Sequence, residues 1–129
     1  MASMIKGHNF EIRNVSTPGH NLFGLYIDND ETSLAEVNYT NDKFLIFSFD
    51  THKEELRGMG YGTILVRELE NIAKDKKYKT IIACLVYPDD RLLNWLIRMG
   101  YKIMEDNDYT QDILEYKRNN EINFIKRLN

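Results

Sequence analysis

The sequence predicts an α+β fold, in which a mixed, mostly antiparallel sheet with a central parallel strand pair carries helices on its faces. Short runs rich in aromatic and β-branched residues, separated by turn residues, occupy the N-terminal part of the chain, as in an antiparallel meander. An amphipathic segment and then an unbroken apolar run follow. A strand, a crossover helix and a second strand form a right-handed unit whose two strands are parallel.

The N-terminal part of the chain is predicted to contain four strands. Their sequences are FEIRNV, NLFGLYID, SLAEVNYT and KFLIFSFDTH. Ser-Thr-Pro-Gly and Asp-Asn-Asp-Glu separate the first three strands, and both are strong turn signals. We therefore expect three antiparallel strands that lead into a strand over residues 43–52.

The rest of the chain is predicted to mix helices and strands. The segment TILVRELENIAKDKKYK has apolar residues at three-and-four spacing, which indicates an amphipathic helix. The run at 81–87 is apolar throughout and predicts a strand buried on both faces. DDRLLNWLIRMGY is then predicted to form a short helix, residues 110–117 a further helix, and INFIKRL a closing strand.

Length and composition indicate one ordinary globular domain over residues 1–129, with 43% hydrophobic and 29% charged residues. Residues 1–3, which precede Met4, are interpreted as a remnant added in cloning and are left out of the fold prediction. The net charge of −3 argues against a nucleic-acid partner, because such proteins normally carry a basic excess. No apolar run approaches the roughly 20 residues that span a bilayer, and no signal peptide is recognised, so we expect a cytoplasmic protein without a membrane partner.

The single cysteine and the scattered histidines exclude other classes of site. Cys84 lies within the apolar segment IIACLV and is interpreted as a core residue. One cysteine cannot form an internal disulfide or a cysteine-rich metal site. His8, His20 and His52 are far apart in sequence, so no metal site is predicted.

The stretch RGMGYGT at residues 57–63 has glycine at three alternate positions, between a predicted strand and a predicted helix. In such a loop the backbone N–H groups and the helix dipole face the same point, which suits a phosphate. The dinucleotide pattern G-x-G-x-x-G fails because Thr63 stands where a glycine is needed, and the P-loop pattern is absent.

The spacing R-x-x-G-x-G, from Arg57 to Gly62, resembles the pyrophosphate-binding motif of the GNAT superfamily of acetyl-coenzyme A-dependent N-acetyltransferases. The letters EELRG that lead into it are also similar to that family. Downstream, a strand and a short helix end in Gly100-Tyr101, which resembles the family's leucine, glycine, phenylalanine ending. The resemblance covers residues 44–103.

This resemblance implies acetyl-coenzyme A as cosubstrate. The pyrophosphate would lie on the backbone N–H groups of the loop, with the positive charge of Arg57 beside it. The pantetheine arm would pair with the end of the preceding strand, where that strand and residues 81–87 separate. The implied cofactor-binding residues are Asp50, Thr51, His52, Arg57, Gly58, Met59, Gly60, Tyr61, Gly62 and Thr63.

The acceptor amine must lose a proton, because an alkylamine has a pKa of about 10.4. Many family members use a carboxylate on the central strand, but the matching position here is about Phe44, which cannot act as a base. His52 and Asp50 are therefore the catalytic candidates, because an unperturbed histidine titrates closest to neutrality. Glu54 and Asp89 are the other acidic residues weighed for this role.

The family's usual general acid is a tyrosine five residues before the terminal aromatic residue. That position holds Leu96, so Tyr87 or Tyr116 would have to supply a hydroxyl from elsewhere. A thiol with a pKa of about 8.5 can also leave without full protonation.

Family members usually carry two helices between their first two strands, and these commonly shape the acceptor site. Residues 15–22 leave no room for them. The chain therefore resembles a minimal member with an open acceptor face, which suits a bulky acceptor such as a protein lysine or N-terminus.

Three functional hypotheses follow from the sequence. The leading one is an N-acetyltransferase that moves an acetyl group from acetyl-coenzyme A to an amine of a small molecule or a protein by direct attack. The alternative is a catalytically weak or inactive protein of the same fold that binds coenzyme A or a partner protein. The third is a small interaction domain with an incidental glycine turn. Each hypothesis is compatible with a homodimer.

Overall fold

The computed structural model describes residues 3–5, 8–51, 60–86, 90–115, 117 and 121–128. The strands are β1 (Ser3–Ile5), β2 (His8–Asn14), β3 (Asn21–Ile27), β4 (Asp30–Tyr39), β5 (Lys43–Thr51), β6 (Thr80–Val86), β7 (Lys102–Ile103) and β8 (Glu121–Arg127). The α-helices are α1 (Tyr61–Asp75), α2 (Asp90–Arg98) and α3 (Gln111–Leu114), with a 3₁₀ turn at Asp106–Asp108.

The strands form one sheet in the order β1-β2-β3-β4-β5-β6-β8-β7. β5 and β6 are parallel, in a register that runs from Lys43 opposite Thr80 to Ile46 opposite Ala83. The pairs β1–β2, β2–β3, β3–β4, β6–β8 and β7–β8 are antiparallel. The predicted α+β class, with a mixed and mostly antiparallel sheet around one parallel pair, is confirmed.

Contacts divide the chain into two compact units, of which the first comprises Met1–Val37 and Ser48–Ile72. Asp28 and Asn29 connect β3 to β4 with φ angles of 49° and 71°, as a two-residue hairpin turn requires. Alternate residues of β3 and β4 point inward, among them Phe23, Leu25 and Ile27 of β3 and Ala35 and Val37 of β4. The buried apolar residues of this unit are Phe23, Leu25, Ile27, Ala35, Val37, Tyr61, Leu65, Val66 and Leu69.

The second unit comprises Asn38–Phe47 and Ala73–Asn129. β8 pairs with β6 along its whole length, from Thr80 opposite Arg127 to Val86 opposite Glu121. One buried cluster of this unit contains Leu45, Ile82, Cys84, Met104 and Ile113, with Phe47, Tyr109 and Ile125 packed against it. The predicted placement of Cys84 in the core is confirmed.

The end of α2 is closed by a glycine and by β8. Gly100 has a φ of 97°, and the Tyr101 N–H donates a hydrogen bond to the Leu96 carbonyl at 3.0 Å, as in a Schellman motif. The ammonium of Lys126, on β8, donates to the Met99 carbonyl at 3.0 Å. The glycine-aromatic pair noted in the sequence therefore ends the helix.

Most predicted boundaries differ from the structure by one to four residues, and the largest shift is at the end of α1, which stops at Asp75 rather than at residue 79. β1 was not predicted at all: it begins at Ser3, within the residues left out of the fold prediction, and pairs with β2. α3 ends at Leu114 rather than at residue 117, so this segment is a single helical turn of four residues. The closing strand begins at Glu121, one residue before the predicted start, since a buried carboxylate is an unusual strand residue.

Candidate active site

The carboxyl end of β5 carries the first predicted site residues. Ser48 and Asp50 are exposed, whereas Phe47 and Phe49 are half-buried, so the side chains alternate along the strand as expected. Asp50 therefore presents its side chain to solvent one residue before the end of β5 at Thr51. His52 lies outside the described residues.

Gly60 stands at the start of α1. It has a φ of 88°, which favours glycine over any residue with a Cβ. Its carbonyl accepts the hydrogen bond of the Ile64 N–H at 3.1 Å. Gly60 is thus the N-cap, and Tyr61, Gly62 and Thr63 form the first turn, where helical N–H groups point along the axis and the dipole is positive.

The space beside this helix terminus is open. A Cβ built on Gly60 would have no heavy atom of the described residues within 4 Å, and the first turn, Tyr61 to Thr63, contains no acidic residue. Tyr61 is only 7% exposed, so its ring belongs to the core rather than to the surface of the site. Arg57, Gly58 and Met59 lie outside the described residues, and their roles stay predictions.

The catalytic candidates are only partly described. Asp50 is exposed, while His52, Glu54 and Asp89 fall outside the described residues. Tyr87 and Tyr116 do so as well. Leu96, at the position where the family resemblance implies a tyrosine, is 0% exposed and is therefore a core residue.

A polar cluster in the second unit was missed by the sequence analysis. Asn123 is 1% exposed and Glu121 is 7% exposed. The Asn123 Nδ2 donates a hydrogen bond to the Tyr109 hydroxyl at 3.3 Å. Burial raises the pKa of Tyr109, and the charge of Glu121 raises it further. Polar residues at alternate positions of an otherwise apolar strand were the signal that could have revealed Glu121 and Asn123.

Two further classes of site were searched for in the part of the chain that the structure describes. No group of three or more histidine, cysteine, aspartate or glutamate side chains could hold a metal ion there. No helix in the same ranges is long and apolar enough to cross a membrane.

Comparison with known proteins identifies the family. The sequence model of the Acetyltransferase (GNAT) family matches residues 19–101, and the chain belongs to this family. A comparison with curated protein sequences gives no significant match.

Solved structures share the fold at low sequence identity. The ribosomal-protein-S18-alanine N-acetyltransferase of Escherichia coli has a TM-score of 0.67 at 15% identity, covering 88% of this chain and 72% of that one. A Bacillus subtilis acetyltransferase in complex with CoA has a TM-score of 0.69 at 15% identity, over 95% and 99% of the two chains. The PaiA N-acetyltransferase of Thermoplasma acidophilum, in complex with coenzyme A, has a TM-score of 0.65 at 15% identity, over 82% and 59%.

Proposed function

We propose that this protein is an N-acetyltransferase that moves the acetyl group of acetyl-coenzyme A directly to a primary amine. The observation that carries the proposal is the start of α1, where Gly60 has a φ of 88° and no heavy atom of the described residues would lie within 4 Å of a Cβ built on it. Membership of the acetyltransferase family supports it. So do the coenzyme A complexes of two structural neighbours, from Bacillus subtilis and Thermoplasma acidophilum.

The pyrophosphate of the cosubstrate is assigned to the loop and the first turn of α1. Backbone N–H groups at a helix N-terminus bind anions because they have no intrahelical acceptor and the helix dipole favours negative charge. In this proposal the N–H groups of residues 58–63 donate to the pyrophosphate oxygens. Arg57 adds a positive charge, which strengthens hydrogen bonds to phosphate.

The pantetheine arm is assigned to the end of β5. β5 continues to Thr51, beyond the register that ends with Ile46 opposite Ala83. The amide groups of the arm can extend the hydrogen bonding of a strand in the way that an added peptide does. A backbone N–H close to the thioester would stabilise the oxyanion that forms when the amine attacks.

The proton of the acceptor amine is assigned to Asp50 or His52. In the proposed reaction the neutral amine nitrogen attacks the acetyl carbonyl carbon, the carbon–sulfur bond breaks, and coenzyme A leaves as the thiolate. The base takes the first proton from the ammonium form before attack, and the second proton, which the nitrogen loses as the amide forms, goes to the thiolate or to water. Because Leu96 is a core residue, no hydroxyl from that position protonates the leaving thiolate, which a thiol pKa of about 8.5 makes tolerable.

The acceptor can be a small molecule or a protein. The connection between β2 and β3 contains only a short turn closed by mutual hydrogen bonds of Thr17 and His20 at 3.0 Å. This connection therefore places no helix over an acceptor. An open face of this kind favours a bulky amine, such as a protein lysine or N-terminus.

A second candidate function is a coenzyme A-binding protein with weak or no catalysis. Leu96 favours it, because a fully buried leucine occupies the position of the expected acid. The N-acetyltransferase and the coenzyme A-binding protein would bind the same cofactor, and only the first would transfer the acetyl group at an appreciable rate.

The test is calorimetric titration of acetyl-coenzyme A into the wild-type protein and into Gly60→Glu. The new carboxylate would lie at the helix N-terminus and repel the pyrophosphate, so binding should be lost. Gly19→Glu is the matched control, because Gly19 also has a positive φ, of 82°, and open space around it. Circular dichroism checks the fold of both variants.

Binding by the wild type and by Gly19→Glu, but not by Gly60→Glu, would support the assigned loop. Release of free thiol from acetyl-coenzyme A in the presence of amine acceptors would then separate the enzyme from the binding protein. Absence of binding by all three proteins would overturn both candidate functions and leave the interaction domain.

A further inference from the structure

The outer side of β7 is an open strand edge in the part of the chain that the structure describes. β7 stands at the end of the strand order, beside β8. Ile103 lies opposite Phe124, and the next residue, Met104, donates its N–H to the Asn123 carbonyl at 2.8 Å. Because hydrogen-bonded and non-hydrogen-bonded pairs alternate along an antiparallel ladder, the N–H and the carbonyl of Ile103 point away from β8. Neither group has a backbone partner among the described residues.

Apolar side chains adjoin this edge. Ile103 is 50% exposed, and Ile122, two residues before Phe124 on β8, is 39% exposed. Opposite residues of an antiparallel pair project from the same face, and so do alternate residues of one strand. Ile103, Ile122 and the fully buried Phe124 therefore share one face of the sheet. Exposed apolar residues beside unpaired backbone groups are typical of a surface that pairs with another strand.

The edge is complementary to itself. Ile103 presents one donor and one acceptor, so two copies related by a two-fold axis can pair antiparallel at this residue, each N–H donating to the other copy's carbonyl. Lys102 would then lie opposite Met104 of the second copy, and no like charges would face each other across the pair. The Lys102 ammonium also lies 3.9 Å from the Asp108 carboxylate of its own chain, which offsets its charge.

We propose that the outer edge of β7 is the interface of a homodimer, in which the two β7 strands pair antiparallel around Ile103. The occupant of the edge is a second copy of this chain, and the Ile103 and Ile122 side chains of both copies pack together on one face. Pairing between identical edges closes after two copies, so it forms a dimer rather than a fibre. Because β7 has only two residues, the interface is small and the dimer dissociates on dilution.

The first experiment is sedimentation velocity of the wild type from about 1 μM to about 1 mM, the range in which weak complexes assemble. The measured mass should rise from that of one chain towards that of two. It should not rise further, because the dimer leaves no second copy of this edge free.

A charge at the two-fold axis tests the interface. Ile103→Glu places two carboxylates opposite each other, so the dissociation constant of the dimer should rise by about tenfold or more. Leu114→Glu is the matched control, because Leu114 is 48% exposed and follows Ile113, which packs in the cluster on the Ile125 face of β8. This variant should dimerise as the wild type does. Circular dichroism checks the fold of both variants.

A charge exchange tests whether Ile103 meets its own counterpart. Ile103→Lys alone should dimerise as poorly as Ile103→Glu, because like charges again face each other. An equimolar mixture of the two variants should dimerise at least as well as the wild type, since opposite charges then lie across the pair. Native mass spectrometry identifies the mixed dimer by its mass.

A wild type that stays monomeric up to about 1 mM, or a dimer that Ile103→Glu leaves intact, would overturn the inference. Equal weakening by Leu114→Glu, or a mixture that stays monomeric, would overturn it as well. The inference does not depend on the proposed function, and acetyl-coenzyme A binding is measured separately on the same samples. A dimer that binds no acetyl-coenzyme A would overturn the proposed function and leave this interface.

Discussion

The start of α1 and the polar cluster on β8 are built in opposite ways. The first consists of consecutive residues around Gly60. Its proposed binding groups are backbone N–H groups, which are present whichever side chain a residue carries. The second consists of side chains of Tyr109, Glu121 and Asn123, which two separate segments bring together. A site made of backbone is sensitive to φ angles, whereas a site made of buried side chains is sensitive to charge and to hydrogen-bond partners.

The largest expected change in the free energy of unfolding comes from placing a negative charge at position 123, in the polar cluster. Asn123→Asp places a carboxylate at a position that is 1% exposed, beside Glu121, which should lower the free energy of unfolding by about 3 kcal/mol or more. Burial raises the pKa of the new carboxyl above its unfolded value of about 3.9. The loss should therefore be absent below that pH and grow as the pH rises towards the folded pKa.

Urea unfolding at pH 5 and pH 8 measures this loss against the wild type. Asn123→Leu is the matched control, because it removes the amide without adding charge and should cost only about 1 kcal/mol, the net value of the hydrogen bond to Tyr109 that it also removes. Equal stability of Asn123→Asp and the wild type at pH 8 would show that water reaches the cluster and solvates the new carboxylate. The cluster would then not be a site of buried side chains, and the difference from the start of α1 would disappear.

The next effect concerns the positive φ angles. Gly60→Ala and Gly100→Ala should each cost about 1–2 kcal/mol, because an L-residue is strained in the left-handed region. The two costs should be alike, because a Cβ at Gly100 would make only an ordinary contact of 3.4 Å with the flexible Lys126 side chain, and no heavy atom of the described residues would lie within 4 Å of one at Gly60. Thermal and urea unfolding of both variants measure the difference. A larger loss at Gly60 would mean that its surroundings are closed.

A smaller effect is expected from the Tyr109 hydroxyl. Tyr109→Phe removes the acceptor of the Asn123 Nδ2 and should cost about 1 kcal/mol, the net value of one hydrogen bond. Tyr26→Phe is the control, since the Tyr26 hydroxyl donates to Glu31 at 2.9 Å on a half-buried surface and should cost less. The two losses are compared by urea unfolding, and equal losses would remove any special role of Asn123.

The smallest effect is expected at Asp112. The Thr110 hydroxyl and, more weakly, the Lys43 ammonium lower the pKa of Asp112. A lowered folded pKa gives stability that is present above the unfolded pKa of about 3.9 and is lost as the pH falls through the folded value. Because Asp112 is 39% exposed, Asp112→Asn should cost only about 0.5 kcal/mol at pH 7. The difference from the wild type should shrink between pH 4 and pH 2, and a constant difference would assign it to another cause.

The sequence predicted the contiguous features of this molecule and missed those that depend on distant residues. The start of α1 was predicted because a glycine spacing and a helical period are local patterns, whereas the predicted loop before Gly60 lies outside the described residues. The parallel pairing of β5 with β6 followed from the order of strand and helix. Asn123 meets Tyr109 only because β8 pairs with β6, and no local pattern around residue 109 indicates that contact. Leu96 was recognised as a departure from the family, but its complete burial is a property of the packed unit.

The place of β8 in the sheet has a consequence for synthesis on the ribosome. The chain emerges with its N-terminus first, yet β8 lies between β6 and β7 in the sheet. β6 and β7 must therefore wait for residues 121–127 before they gain this neighbour. During that interval the nascent chain exposes an apolar strand edge, the kind of surface that aggregates and that chaperones shield. Slow translation of residues 87–120 should accordingly lower the yield of folded protein more than an equal delay before β6.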